Sequence, residues 1–215
     1  MRNRNFGFII AVLAAAFSVW AWSRLPDVVT THWGFDGKPN GWSPRWVAAV
    51  LLPLFLLALP LIFRVLPRID PKGENYAKFS DAFWLIGNSV VVFLAGVHVV
   101  VLLNAMGYPV DMNLVIGVGV GLLFMVMGNY LGKVQPNWFM GVRTPWTLAS
   151  EQVWRKTHRT AGWLFVGAGL FIAVAAFIPS VSVGAVMVVA IVIAAIIPVV
   201  QSYVLWKREQ TMTSR

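Results

Sequence analysis

The sequence contains no cysteine, which excludes disulfide frameworks, thiolate metal sites and cysteine nucleophiles together. Charge is also scarce. Asp, Glu, Lys and Arg make up 12% of the 215 residues, against about a quarter in soluble domains, so an ordinary soluble fold is excluded. Acidic side chains are the rarer sign, eight against 17 basic ones. None lies deep in an apolar run, where ion-coupled transport would need one. H-E-x-x-H, G-x-S-x-G and phosphate-loop patterns are missing, and no other residue set completes a catalytic constellation. The chain is therefore read as a non-enzyme without metal or cofactor.

What the sequence has in abundance is apolar length. Hydrophobic residues make up 59% and the mean hydropathy is +0.74. A helix needs about 20 mostly apolar residues to cross the hydrocarbon core of a bilayer, with a range of about 17–25. Six stretches qualify: residues 6–22, 46–63, 83–103, 113–131, 162–178 and 183–206. The expected fold class is all-α, an integral membrane helical bundle of about six transmembrane helices. Arg2 and Arg4 before the first run, with Ala14-Ala15-Ala16 and Ala21 within it, resemble a signal peptide. The run is longer than a usual apolar signal core, and it is read as a retained span.

Orientation follows from the basic residues. With both termini cytoplasmic, Arg2, Arg4, Arg64, Arg68, Lys72, Lys78, Lys133, Arg143, Arg155, Lys156, Arg159, Lys207, Arg208 and Arg215 fall inside, leaving Arg24, Lys38 and Arg45 outside. That asymmetry is what the positive-inside rule asks for. The net charge of +9 is accordingly read as loop charge facing anionic membrane lipid, with no direct nucleic-acid partner. Trp20, Trp22, Trp46, Trp84, Trp163 and Trp206 lie near span ends, where indole rings prefer the headgroup level. Pro53, Pro60 and Pro198 are expected to kink the second and sixth spans. Gly117, Gly121 and Gly128 mark one close-packing face of the fourth. Short links at 107–112 and 179–182 predict that spans three and four, and five and six, are antiparallel neighbours.

Polar residues with chemical potential fall in three places. The 132–160 connection has a glycine- and proline-marked half, followed by a short helix expected over about 148–159 and capped by Thr147 or Ser150. Glu151, Trp154, Arg155 and His158 share one broad face of that helix. It reads either as a cytoplasmic contact surface or as an interfacial helix with Trp154 among the headgroups. Within span three, Asn88 and His98 look to one side, about 15 Å apart by helical rise. His98 is either proton-sensitive or a hydrogen-bonded packing residue. His32 lies near Asp27 and Asp36 in the turn-rich outer loop 23–45, but the spacing matches no metal site.

Two of these regions resemble known patterns. Leu25-Pro26, Thr31-His32-Trp33-Gly34 and Gly37-Lys38-Pro39-Asn40-Gly41-Trp42 resemble the outer-loop motif of a bacterial membrane domain of unknown function that commonly precedes the SdpI-family segment. Gly128-Asn129, Lys133, Asn137, Gly141-Val142-Arg143-Thr144-Pro145-Trp146-Thr147-Leu148, Trp154 and Thr157-His158-Arg159 are similar to the SdpI-family signature itself. Motifs and spans together cover residues 25–206.

The resemblance implies a multi-pass protein of the bacterial cytoplasmic (inner) membrane that confers immunity to a secreted peptide toxin. In the family's best-known member it also implies signalling, by holding a transcriptional regulator at the membrane. It implies two units, a two-span unit at 1–63 and a four-span unit at 64–215. It places outer contacts at His32, Gly37, Pro39 and Trp42. Inner contacts fall at Asn129, Lys133, Asn137, Gly141, Arg143, Thr144, Pro145, Thr147, Trp154 and His158. An alternative from intramembrane Asn88 and His98 is a small transporter or channel-like protein, in dimeric form. An intramembrane enzyme using His32 or His158 as acid or base ranks last.

Overall fold

The computed structural model describes residues 4–213; Arg2 and Arg215, counted above for orientation, lie outside them. Helix α1 (Phe6–Ala21) ends in a 3₁₀ turn, Trp22–Arg24, that leads to a β-hairpin of β1 (Val28–Trp33) and β2 (Pro39–Pro44). A π-helical turn at Val47–Leu51 opens α2 (Leu52–Ile69), and a 3₁₀ segment at Gly73–Phe79 precedes α3 (Ser80–Ala105). Then follow α4 (Met112–Leu131), short α5 (Pro145–Ala149), α6 (Glu151–Ala175) and α7 (Val183–Thr213). Six helices are long and apolar enough to cross a membrane by length and composition. The expected helical membrane bundle is therefore present.

Several boundaries differ from the sequence expectation. The outer loop is an antiparallel hairpin, with Val28 opposite Pro44 and Trp33 opposite Pro39. Thr and Val along β1 favour extended backbone, while the positive φ of 74° at Gly37 makes the turn. The polar 64–80 loop is mostly helical, because α2 runs through Pro60 and Pro67 to Ile69. The separate helix expected at 148–159 is not separate. Ser150 accepts a hydrogen bond from the Val153 amide (3.3 Å) and starts α6 there, so the loop helix and the fifth span are one rod. Thr147 caps nothing from outside: Thr144 is the cap of α5, and the two threonines form a reciprocal capping box.

The α1–α3 contact shows what the polar residues of span three do. The buried stripe of α1 is Gly7, Ala11, Ala14, Ser18 and Ala21, all small, which lets the backbones approach. At one end the Asn88 Oδ1 accepts the Gly7 amide (3.1 Å). Eleven residues further along α1, Ser18 Oγ lies 2.6 Å from His98 Nε2. The two helices thus run parallel, pinned at two levels, and His98 is buried and hydrogen-bonded at the second. Ser18→Ala is expected to cost about 0.6–1.7 kcal/mol, the scale that double-mutant cycles give for interhelical hydrogen bonds in a membrane protein. A Ser18→Ala/His98→Leu double variant should lose less than the sum of the singles in thermal unfolding; strict additivity would remove the bond from the account.

The tightest helix pair is α4 against α6, antiparallel and not adjacent in sequence. A methyl group on Gly121 would lie 2.6 Å from the Gly169 carbonyl oxygen, and one on Gly128 would lie 2.6 Å from that of Gly162. The converse also holds, since a Gly162 methyl would meet the Gly128 oxygen at 2.7 Å. The close-packing face expected on α4 therefore meets a matching glycine face on α6. Trp84, near the start of α3, is buried, edge-on to Phe83 with ring centroids 5.3 Å apart.

Helix α7 touches both ends of the bundle. The Ser182 hydroxyl just before it donates to the Phe35 carbonyl in the hairpin turn (2.9 Å). Near the other end the Ser202 hydroxyl meets Thr144 Oγ1 (3.0 Å).

Candidate functional site

Two candidate sites cap opposite ends of the bundle. At the first, Val29 and Leu25 are buried against Ala21, Ala48, Ala49 and Leu102 and root the hairpin in the core. The turn is closed by the Gly34 amide to the Lys38 oxygen (2.9 Å), with Asp36 accepting the Lys38 amide (3.1 Å). His32 Nδ1 hydrogen-bonds Asn40 Oδ1 across the strands. Asp27 instead pairs with Arg45 (3.4 Å). The His and the two carboxylates therefore have separate partners, and among the described residues no group of three metal-ligating side chains forms. Gly37 provides the left-handed turn and Pro39 opens β2. Trp42 is 60% exposed, as are the nearby Phe35 (64%) and Val28 (59%). Beneath the hairpin, a cavity of about 340 Å³ opens between Trp33, Phe35, Val101, Met112 and Met187.

At the second end most of the signature residues form one hydrogen-bonded knot. Asn137 is fully buried. Its Oδ1 accepts the Phe139 and Met140 amides (2.9 and 2.7 Å), and its Nδ2 donates to the Gln135 and Met140 carbonyls (2.8 and 3.1 Å). One side chain thus replaces the backbone pairing that a tight, irregular turn cannot make for itself. His158 closes the next segment. Its Nδ1 faces the Trp154 carbonyl (2.9 Å), and its Nε2 accepts the Val142 amide (3.0 Å). The first contact requires the proton on Nδ1 and the second a lone pair on Nε2, so this imidazole is neutral and both nitrogens are used. Gly141 (φ 102°) packs against the ring, where any side chain would strike Nε2.

Trp154 lies under the ring of His158 at 4.0 Å and donates its Nε1–H to the Val134 carbonyl (2.7 Å). The face expected to carry Glu151, Trp154, Arg155 and His158 together is thereby split. Trp154 and His158 are fully buried, while Glu151 and Arg155 pair on the exposed side at 3.4 Å. Neither the contact-surface nor the headgroup reading of Trp154 holds, because an indole with a carbonyl partner and apolar walls is better satisfied inside. Thr144, Pro145 and Thr147 build the start of α5. Arg143 is exposed and donates to the Trp138 carbonyl (2.7 Å). Asn129 and Lys133 stand apart from the knot: Lys133 Nζ sits 4.5 Å from the Tyr130 ring centre, and Asn129 faces a notch between α4 and α6.

Sequence reasoning missed Asp70 and Tyr76. Asp70 Oδ2 accepts the Tyr76 hydroxyl (2.8 Å) and the Trp138 amide (2.9 Å), while Oδ1 accepts the Lys72 amide (2.7 Å). This carboxylate is buried, makes no ion pair among the described residues and is stabilised by three donors. Its one visible signal, shared with Glu74, was an acid in a loop that is otherwise basic. The result is a stiff turn presenting exposed Trp138 and Phe139 beside Arg143.

Six helices long and apolar enough to cross a membrane, with built loop structures at both ends, define a multi-pass membrane protein. Residues 133–202 match the SdpI/YfhL protein family. Residues 9–57 match a domain of unknown function (DUF1648). The chain is also similar to Immunity protein SdpI of Bacillus subtilis (strain 168), with 29% identity over 208 residues covering 97% of this chain and 98% of that protein. No solved structure matches it.

Proposed function

We propose that this protein protects the cell bearing it from a secreted peptide toxin, with the hairpin end outside and both termini in the cytoplasm. The observation that carries the reading is the end-to-end similarity to Immunity protein SdpI, 97% of one chain against 98% of the other. The charge asymmetry supports the orientation. In this reading, residues 1–63 form the outer-facing unit and 64–215 the unit that bears the knot. Exposed Trp42 and Phe35, held on a pinned hairpin above an apolar cavity, suit an apolar peptide segment, since rigid aromatic side chains are favoured binding anchors. At the opposite end, Trp138, Phe139 and Arg143 would meet a transcriptional regulator. His158 is internal and acts there only by shaping the turn.

Expression in a toxin-sensitive strain should raise survival under toxin challenge. No gain with the protein confirmed in the membrane would overturn the reading. A Phe35→Ala/Trp42→Ala variant is expected to lose about 30-fold or more in toxin tolerance, as when hot-spot aromatics worth about 2 kcal/mol are truncated. Its membrane level should not change, because neither ring is part of the buried core. Full tolerance in this variant would remove the hairpin from the contact.

A further inference from the structure

The notch between α4 and α6 takes no part in the knot or the hairpin. It holds about 180 Å³, less than the roughly 300–1,000 Å³ of small-molecule sites. Gly128, Gly132 and Gly162 form its floor, and Asn129, Arg159 and Trp163 form its rim. Gly128 and Gly162 bring the two backbones together, so the absence of side chains is what leaves the space. Among the described residues, Arg159, Asn129 and Trp163 make no side-chain hydrogen bond or ion pair with the rest of the protein. No acidic side chain lines the notch. Arg159, Asn129 and Trp163, all exposed, thus line a small concavity with donor groups that the protein itself leaves unused.

The level of the notch identifies what it meets. Helix α4 has 20 residues, which at about 1.5 Å per residue spans about 30 Å, the thickness of the hydrocarbon core. Its last turn, with Asn129 and Gly132, thus stands at the headgroup layer, and Trp163 beside it is 74% exposed, as ring anchors at that level are. An ion pair with the protein's own carboxylates is not available there. The group that supplies negative charge at this depth is lipid phosphate.

We propose that the α4–α6 notch is a binding site for the headgroup phosphate of an anionic phospholipid. Arg159 makes the charge-assisted contact, Asn129 and Trp163 donate neutral hydrogen bonds, and the three glycines admit the headgroup against the backbone.

The test uses the full-length protein in mild detergent, given phosphatidylglycerol, phosphatidylcholine or inorganic phosphate, with retained ligand read by native mass spectrometry. Phosphatidylglycerol should be retained about tenfold better than phosphatidylcholine, whose phosphate is already paired with its own choline cation and whose choline meets Arg159 as a like charge. Arg159→Gln should abolish that preference. Gly132→Leu should do so as well while leaving every charge in place. Gly132 has helical backbone angles (φ −66°), and the nearest atom to an added methyl is the Arg159 Cα at 3.9 Å, so the leucine fills the notch without disturbing the fold. Arg155→Gln, on the exposed pair with Glu151, should keep the preference. Undiminished preference in either notch variant would overturn the site, and displacement of the lipid by millimolar inorganic phosphate would assign it to a free anion.

Discussion

Gly128→Leu is expected to cost the protein its folded bundle, while Gly167→Leu on the same helix pair leaves it intact. The first added carbon at Gly128 would already stand 2.6 Å from the Gly162 oxygen and 2.7 Å from the Val166 nitrogen. These are backbone atoms of a packed helix, so no rotamer change relieves the clash and α4 must leave α6. Overpacking a well-fitted site costs about 1–3 kcal/mol and occasionally more; a displaced helix axis places this variant at or above the upper end. At Gly167, by contrast, a methyl meets nothing within 4 Å. Thermal unfolding in detergent, followed by helicity and by loss of the monodisperse peak, separates the two. Equal stability of both variants would show that the close approach contributes nothing. Because the contact is reciprocal, Gly128→Ala and Gly162→Ala should be non-additive when combined.

Asn137→Ala is the second large effect, and it is local. The truncation removes both acceptor contacts to the Phe139 and Met140 amides and both donor contacts to the Gln135 and Met140 carbonyls. Each buried polar group left unpaired costs about 1–3 kcal/mol. The turn escapes the full penalty by opening to water, so about 3–5 kcal/mol of local stability is expected to go. Hydrogen exchange should accelerate by two or more orders of magnitude across residues 135–143, and trypsin should cut at Arg143 in the folded protein. Asp70→Asn should produce a smaller version of the same opening, since one of the oxygens holding the Lys72 amide, the Tyr76 hydroxyl and the Trp138 amide becomes a donor. Arg143→Ala should leave exchange nearly unchanged, as it removes one exposed hydrogen bond. Protection of residues 138–142 in Asn137→Ala equal to that in the native protein would mean the side chain follows the turn and does not set it.

The spans were legible because a bilayer imposes one length and one composition on anything that crosses it, and Lys and Arg excluded from the core mark the ends. The glycines of α4 were legible as a face. Their partners were not: Gly162 lies where α6 leaves the polar loop, and Gly169 lies in an apolar run that is hydrophobic on every face, so nothing there marks which side meets α4. The hairpin was read as a turn-rich loop: Gly37 and Pro39 signal the reversal, but six-residue strands interrupted by a bulge at His32 carry little alternation. The polar motif of the 132–160 region was visible as residue types in order. Which of them point inward was not, because burial there depends on carbonyls of distant segments. Trp154 reaches back to Val134, and Asp70 reaches forward to Trp138. Helical periodicity placed Glu151 and His158 on one face because it has no information about the second surface that divides them.

Helix α7 is a tie rod. It is seated against the hairpin turn through Ser182 and Phe35 and against the start of α5 through Ser202 and Thr144, and one continuous helix lies between these seats. Pro198 lies between the two seats, so an axial slide or a rotation at one seat reaches the other to the extent that the helix stays stiff through that residue. If it does, an occupant of the cavity under the hairpin that prefers one setting of α7 is coupled to the stability of the knot, and that coupling free energy is the same in both directions. The two ends share a mechanical part, and thermodynamics makes the exchange between them symmetric.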